Sequence, residues 1–123
     1  KGQLIVERQV RLMVDDQLVY PERISKFHAN QYLQLAMSMY TLPEDVLWLW
    51  DAVNKLNQLR NTVAHELETE KIKNREMAFI NSVPVDKENA TDNRLKDSIL
   101  ATYFSLTWFT IYQKEQHQQD NGD

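Results

Sequence analysis

Glycine occurs only at the two ends of this chain, at Gly2 and Gly122. Phosphate loops of the P-loop or Rossmann type need glycine, because their backbone must approach the phosphates closely. Nucleotide binding of either type is therefore excluded for the body of the chain. Three prolines, Pro21, Pro43 and Pro84, divide that body, and the apolar spacing between them is typical of helices.

The apolar spacing predicts one helix in each of several segments. These predicted helices span residues 3–16, 25–39, 43–68, 72–83 and a last stretch that ends near residue 116. The polar residues 84–91 form the longest predicted loop. We therefore expect an all-α, single-domain bundle of four or five helices over residues 1–116, followed by a polar, frayed tail over residues 117–123.

Two of these helices have recognisable start signals. Thr41 to Asp45 combines a cap candidate, a proline and two acidic residues, which together favour the start of a long third helix. A break near Trp50 is the open alternative for that helix. Thr91 or Asp92 is the expected cap of the last helix.

Composition excludes several classes of protein. The chain has no cysteine, which removes disulfides, thiolate metal sites and cysteine nucleophiles and fits a reducing compartment. No apolar run approaches the roughly 20 residues of a membrane span. The net charge of −4 disfavours strong nonspecific binding to nucleic acid, which depends on many phosphate contacts. We expect a cytoplasmic protein that has no contact with a membrane.

The last helix is unusually aromatic. Its aromatic residues are Tyr103, Phe104, Trp108, Phe109 and Tyr112, and they point in several directions around the helix axis. A helix that is apolar on more than one side is buried on more than one side. Central burial in the bundle and a homodimer interface, where aromatic residues are enriched, are both compatible with this pattern.

One segment combines side chains that can carry chemistry. Arg60, Asn61 and His65 place a permanent cation, a carboxamide and an imidazole within six residues. The guanidinium is suited to contacts with phosphate. Histidine is the side chain that can both donate and accept a proton near neutral pH. These three residues are therefore the candidate site residues.

Helix geometry predicts how these side chains are arranged. The apolar stripe of this helix contains Leu56, Val63 and Leu67. On a wheel of about 100° per residue, Arg60 lies at the edge of the stripe and His65 lies about 140° away from Arg60. The small side chain of Ala64 leaves a hollow between them, with Asn61 in its floor. Arg60 and His65 can bend over this hollow from opposite sides, where Arg60 would hold a phosphate and His65 would transfer a proton.

A structural interpretation of the same residues remains open. Arg60 can instead pair with a carboxylate from a neighbouring helix, and His65 can be a histidine that faces solvent. His28, on the second helix, is interpreted as a partly buried or surface histidine rather than as a catalytic partner.

The segment Leu59-Arg60-Asn61-Thr62-Val63-Ala64-His65-Glu66 resembles the signature of the HEPN superfamily of all-α domains. That signature is an arginine, a polar residue that is often asparagine, and a histidine after a gap of about four to six residues. The resemblance implies a metal-independent endoribonuclease without a cofactor, in which Arg60 contacts the phosphate, His65 is the general acid or base and Asn61 is the polar neighbour. It further implies an RNA substrate, a homodimer whose two motifs line one cleft, and a role as a toxin with an antitoxin partner or in antiphage defence.

The resemblance also allows a protein without catalytic activity. The Leu-Arg-Asn and Ala-His elements are similar to those of mannitol-operon-repressor-type proteins, which act as regulators. A HEPN-like regulator or adaptor with a structural motif is therefore the alternative prediction.

Overall fold

In a computed structural model of the chain, the described residues include five α-helices and two short 3-10 turns, Pro21–Ile24 and Glu44–Val46. The structure describes the backbone of residues 2–65, 68–86, 88 and 90–121, and the side chains of the same residues except 2, 3 and 117–121. The helices are α1 (Gly2–Asp15), α2 (Ala29–Met39), α3 (Leu49–His65), α4 (Thr69–Ser82) and α5 (Arg94–Asn121). No strand occurs in these described ranges, which confirms the predicted all-α class.

The third helix begins at Leu49, and the prediction of a start near residue 43 is wrong. Pro43 has an extended backbone (φ −61°, ψ 156°) and is followed by the 3-10 turn Glu44–Val46. Val46 is buried, so this turn is anchored against the core before α3 starts. The residues that were expected to start the helix thus form a turn. The observed start of α3, at Leu49, lies next to the break near Trp50 that was the alternative prediction. The predicted continuation through Leu67 lies outside the described residues.

The last helix is capped by Asn93 rather than by Thr91 or Asp92. The backbone N of Lys96 donates to Asn93 Oδ1 at 3.1 Å, which satisfies one of the free N–H groups of the first turn. Thr91 supports this cap from outside, because its Oγ1 accepts a bond from Asn93 N at 3.2 Å. At the other end, α5 continues to Asn121, beyond the predicted end near residue 116.

Asn93→Ala is expected to lower the free energy of unfolding by about 1 kcal/mol, because it removes this cap. The melting temperature should fall by about 3–5 °C, measured by circular dichroism at 222 nm. Asp92→Ala is the matched control, since the Asp92 side chain makes no hydrogen bond within the described residues. An equal loss of stability in both variants would contradict the assignment of the cap to Asn93.

The core lies between α1, α2, α3 and the inner face of α5, and α4 closes it beside α3. It includes a cluster of three rings, of which Tyr40 is partly buried. Phe109 packs edge-on against Tyr40 at 5.8 Å and against Trp50 at 6.0 Å, measured between ring centroids. Edge-on packing is a preferred arrangement of aromatic pairs, so this cluster fixes α5 against α2 and α3.

Within the described ranges, no helix combines the length and the apolar character that crossing a bilayer requires.

The two faces of α5 differ in their surroundings. On the inner face, Leu106 and Phe109 are fully buried, as the interpretation of central burial predicted. On the outer face, Phe104, Trp108 and Ile111 are exposed, with a spacing of four and then three residues. Whether a second copy of the chain covers this outer face stays a prediction.

Candidate functional site

The segment that contains the candidate residues lies outside the core. The buried positions of α3 end at Leu59, and Arg60, Asn61 and His65 are all exposed. Val63 is 52% exposed, so its predicted place in the buried stripe is wrong. A helical wheel gives the angle of a residue around the axis, but not the point along the axis where the packing against neighbouring helices ends. The last turns of α3 are therefore accessible to a ligand on several sides.

The three candidate residues line one groove of about 490 Å³. Its walls come from the start of α2 and the end of α3, and its lining consists of His28, Ala29, Asn30, Asn57, Arg60, Asn61, Ala64 and His65. This is the hollow at Ala64 that the wheel predicted, with Arg60 and His65 on its border. The volume falls within the roughly 300–1,000 Å³ typical of ligand clefts. The structure therefore brings together the side chains that the sequence singled out.

A second groove, of about 650 Å³, lies on the other side of the Asn61 and His65 side chains. It runs between α3 and α4, and its lining consists of Asn61, Thr62, His65, Lys71, Asn74, Arg75 and Ala78. Arg75 Nη1 donates to Gln58 Oε1 at 2.9 Å, and Lys71 Nζ lies 4.0 Å from Glu68 Oε2. Asn61 and His65 thus form a ridge that is shared by two grooves.

Arg60 is held by a carboxylate from a neighbouring helix. Its Nη1 donates to Oε2 of Glu7 in α1, and the Arg60 side chain is 44% exposed whereas that of Glu7 is 13% exposed. This is the contact that the structural interpretation of Arg60 predicted. Because a guanidinium has five donors, the pair fixes Arg60 at the groove and leaves other donors available for an anion.

Glu7 in turn is held by a second arginine. Arg11 Nη2 lies 3.4 Å from Glu7 Oε1 and donates to the carbonyl oxygen of Phe27 at 3.0 Å. The Arg11 guanidinium also lies over the Tyr32 ring, 4.4 Å from its centroid. Burial, together with the nearby charge of Asp15, raises the pKa of the Tyr32 hydroxyl. One carboxylate oxygen of Glu7 therefore contacts Arg11 and the other contacts Arg60.

Sequence reasoning missed the walls that other helices contribute. His28 is exposed, within its interpretation as a partly buried or surface histidine, but it precedes α2 instead of lying on it and lines the same groove as His65. Lys71 and Arg75, which no motif of the sequence singles out, both line the second groove. The short connection between α3 and α4, which favours an antiparallel pair, was the available signal for Lys71 and Arg75. The sequence gives no comparable signal for His28, because α2 is distant along the chain.

The groove offers a permanent cation, two imidazoles and three carboxamides, which can bind an anion and move protons. Among the described residues, no group of three or more His, Asp, Glu or Cys side chains is placed to hold a metal ion. Comparisons with protein-family models, with curated proteins and with solved structures gave no match.

Proposed function

We propose that this protein is a metal-independent endoribonuclease of HEPN type. The observation that supports it most directly is that Arg60, Asn61 and His65 line one accessible groove around Ala64. A cation that is held in place and a histidine beside it are the groups that cleavage of a phosphodiester requires when the substrate supplies its own nucleophile.

RNA carries such a nucleophile in its 2′-hydroxyl. In the proposed reaction, the 2′-oxygen attacks the adjacent phosphorus, the bond from phosphorus to the 5′-oxygen breaks, and the products end in a 2′,3′-cyclic phosphate and a 5′-hydroxyl. Arg60 contacts the phosphate oxygens and stabilises the charge that develops there, while His65 transfers a proton. The carboxamide of Asn61 can donate or accept a hydrogen bond, and its partner is the substrate or the imidazole of His65. Glu7 keeps the guanidinium at the groove through its ion pair with Arg60.

The proposal includes a homodimer and a cellular role. The exposed apolar side chains Phe104, Trp108 and Ile111 on α5 support association, since contiguous apolar patches mark interaction sites. We propose that the groove around Ala64 in one copy and the same groove in the second copy together line one RNA cleft. We further propose that the protein is a cytoplasmic toxin with an antitoxin partner, or a component of antiphage defence.

Arg60→Ala is expected to lower the rate of RNA cleavage about 100-fold or more, because it removes the group that contacts the phosphate. The measurement is the cleavage of an end-labelled RNA in the presence of EDTA, with the ends of the products identified by mass spectrometry. Arg8→Ala, an exposed arginine that forms no ion pair within the described residues, is the matched control and should cleave like the parent.

Two results would contradict the nuclease assignment. One is a parent protein that leaves every RNA tested intact over a broad range of sequences and structures. The other is an Arg60→Ala variant that cleaves as fast as the parent. Products without a 2′,3′-cyclic phosphate or its 3′-phosphate hydrolysis product would contradict attack by the 2′-hydroxyl.

The ion pair between Arg60 and Glu7 favours a second candidate function, a HEPN-like regulator or adaptor without catalytic activity. In that case Arg60 connects α3 to α1, and the motif serves the fold. The same Arg60→Ala protein separates the two functions when its melting temperature is measured beside its activity. A lowered melting temperature together with an inactive parent supports the regulator.

A further inference from the structure

We infer that His28 is a second proton-transfer residue of the proposed site and works across the groove from His65. The inference rests on the proposed ribonuclease function and adds to it a catalytic residue that lies outside the motif. Its basis is that two imidazoles, one from the start of α2 and one from the end of α3, line the same groove as Arg60.

The chemistry of RNA cleavage needs two proton transfers at two different oxygens. One group takes the proton from the 2′-hydroxyl as the bond from the 2′-oxygen to phosphorus forms. Another group gives a proton to the 5′-oxygen as its bond to phosphorus breaks. A neutral imidazole performs the first transfer and an imidazolium the second, so two histidines complete the step with no net change in protons.

The backbone of His28 is held firmly at the edge of the groove. His28 precedes α2 in an extended conformation (φ −86°, ψ 173°), and its N donates to Gln31 Oε1 at 3.0 Å. Its carbonyl oxygen accepts a bond from Tyr32 N at 3.1 Å. The His28 side chain also faces the backbone N of Gln31 in a capping box, and because an imidazole has two nitrogens, the other one remains for a substrate in the groove.

A chain of hydrogen bonds connects this backbone to Arg60. The carbonyl oxygen of Phe27, the residue before His28, accepts from Arg11 Nη2, and Arg11 pairs with Glu7. Glu7 in turn accepts from Arg60 Nη1. The start of α2 and the end of α3 are therefore fixed relative to each other through α1, which is the precision that a site built from two elements requires.

His28→Gln is expected to lower the cleavage of ordinary RNA by about 100-fold, because glutamine cannot transfer a proton at neutral pH. Glutamine leaves the backbone contacts of residue 28 in place, and the melting temperature should match that of the parent. Lys26→Gln is the control, since Lys26 is exposed, lies two residues away and does not line the groove. This control should cleave at the parent rate.

A substrate with a modified leaving group shows whether His28 transfers a proton. In an RNA whose cleavable 5′-oxygen is replaced by sulfur, the thiolate leaves without protonation, so a variant that lacks the general acid regains its rate. His28→Gln and His65→Ala are compared on this RNA and on ordinary RNA. We expect the sulfur-containing RNA to restore the cleavage rate of one variant only. The histidine that is missing from that variant is the general acid.

Other outcomes would overturn the inference. If His28→Gln cleaves ordinary RNA at the parent rate while His65→Ala is inactive, only the role of His28 is lost and the ribonuclease function stands. Recovery of both variants or of neither shows that the two histidines do not divide the two transfers. A parent protein that cleaves no RNA removes both proposals.

Discussion

His65→Ala is expected to lower the rate of RNA cleavage by about 1,000-fold and to leave the fold intact, because general acid or base catalysis contributes about 100- to 10,000-fold. His65 is exposed and lines both grooves, so it can reach a substrate bound in either of them. Its side chain makes no hydrogen bond within the described residues, and its loss therefore removes no contact that holds the helices together.

The rate is best measured under single-turnover conditions with protein in excess over a labelled RNA in EDTA. Under these conditions the observed constant reports the cleavage step and not the release of product. Circular dichroism of each variant checks that the helices are retained. His117→Ala, the same change of side chain in the last turns of α5, is the control and should cleave like the parent.

A His65→Ala variant that retains the parent rate would show that this histidine transfers no proton in the reaction. A partial loss, of about tenfold, would instead fit a histidine that only helps to orient RNA, because proton transfer contributes about 100-fold or more. The size of the effect therefore distinguishes two roles that the position of His65 on the ridge allows.

The sequence predicted the bounds of α1 and α4 best, because apolar residues recur in both at helical spacing. Residues 3–16 and 72–83 were expected to be helical, and α1 (Gly2–Asp15) and α4 (Thr69–Ser82) lie within a few residues of these ranges. The start of α3 was misplaced because the burial of Val46 depends on tertiary packing. Local signals at Pro43 and Glu44 are the same for a helix start and for a single turn.

The candidate site could be predicted only as far as one helix determines it. The spacing of Arg60, Ala64 and His65 was sufficient to predict a hollow between two longer side chains, since that spacing sets angles on the helix. The partner of Arg60 was unpredictable, because Glu7 is 53 residues away in the chain. The same reason applies to His28, whose place on the opposite wall depends on how α2 packs against α3.

Phe109→Ala is expected to have the largest effect on stability, with a loss of about 3–5 kcal/mol in the free energy of unfolding. Phe109 is 0% exposed and contacts the rings of Tyr40 and Trp50, so its removal leaves a cavity where three elements meet. The total free energy of unfolding of an ordinary domain is about 5–15 kcal/mol. The variant should therefore unfold at a much lower urea concentration. Circular dichroism measures this midpoint, and both unfolding curves are fitted with one m-value, the slope of the free energy of unfolding against urea concentration.

Phe104→Ala is the matched control, since it makes the same change five residues earlier on the same helix. Phe104 is 63% exposed, so an isolated chain should lose no more than about 0.5 kcal/mol. Equal losses in the two variants at high dilution would contradict the assignment of the inner and outer faces of α5. A dimer that uses the outer face adds a further signature, because its stability depends on protein concentration by mass action. In that case, the effect of Phe104→Ala grows as the protein concentration rises, whereas the effect of Phe109→Ala persists at every dilution.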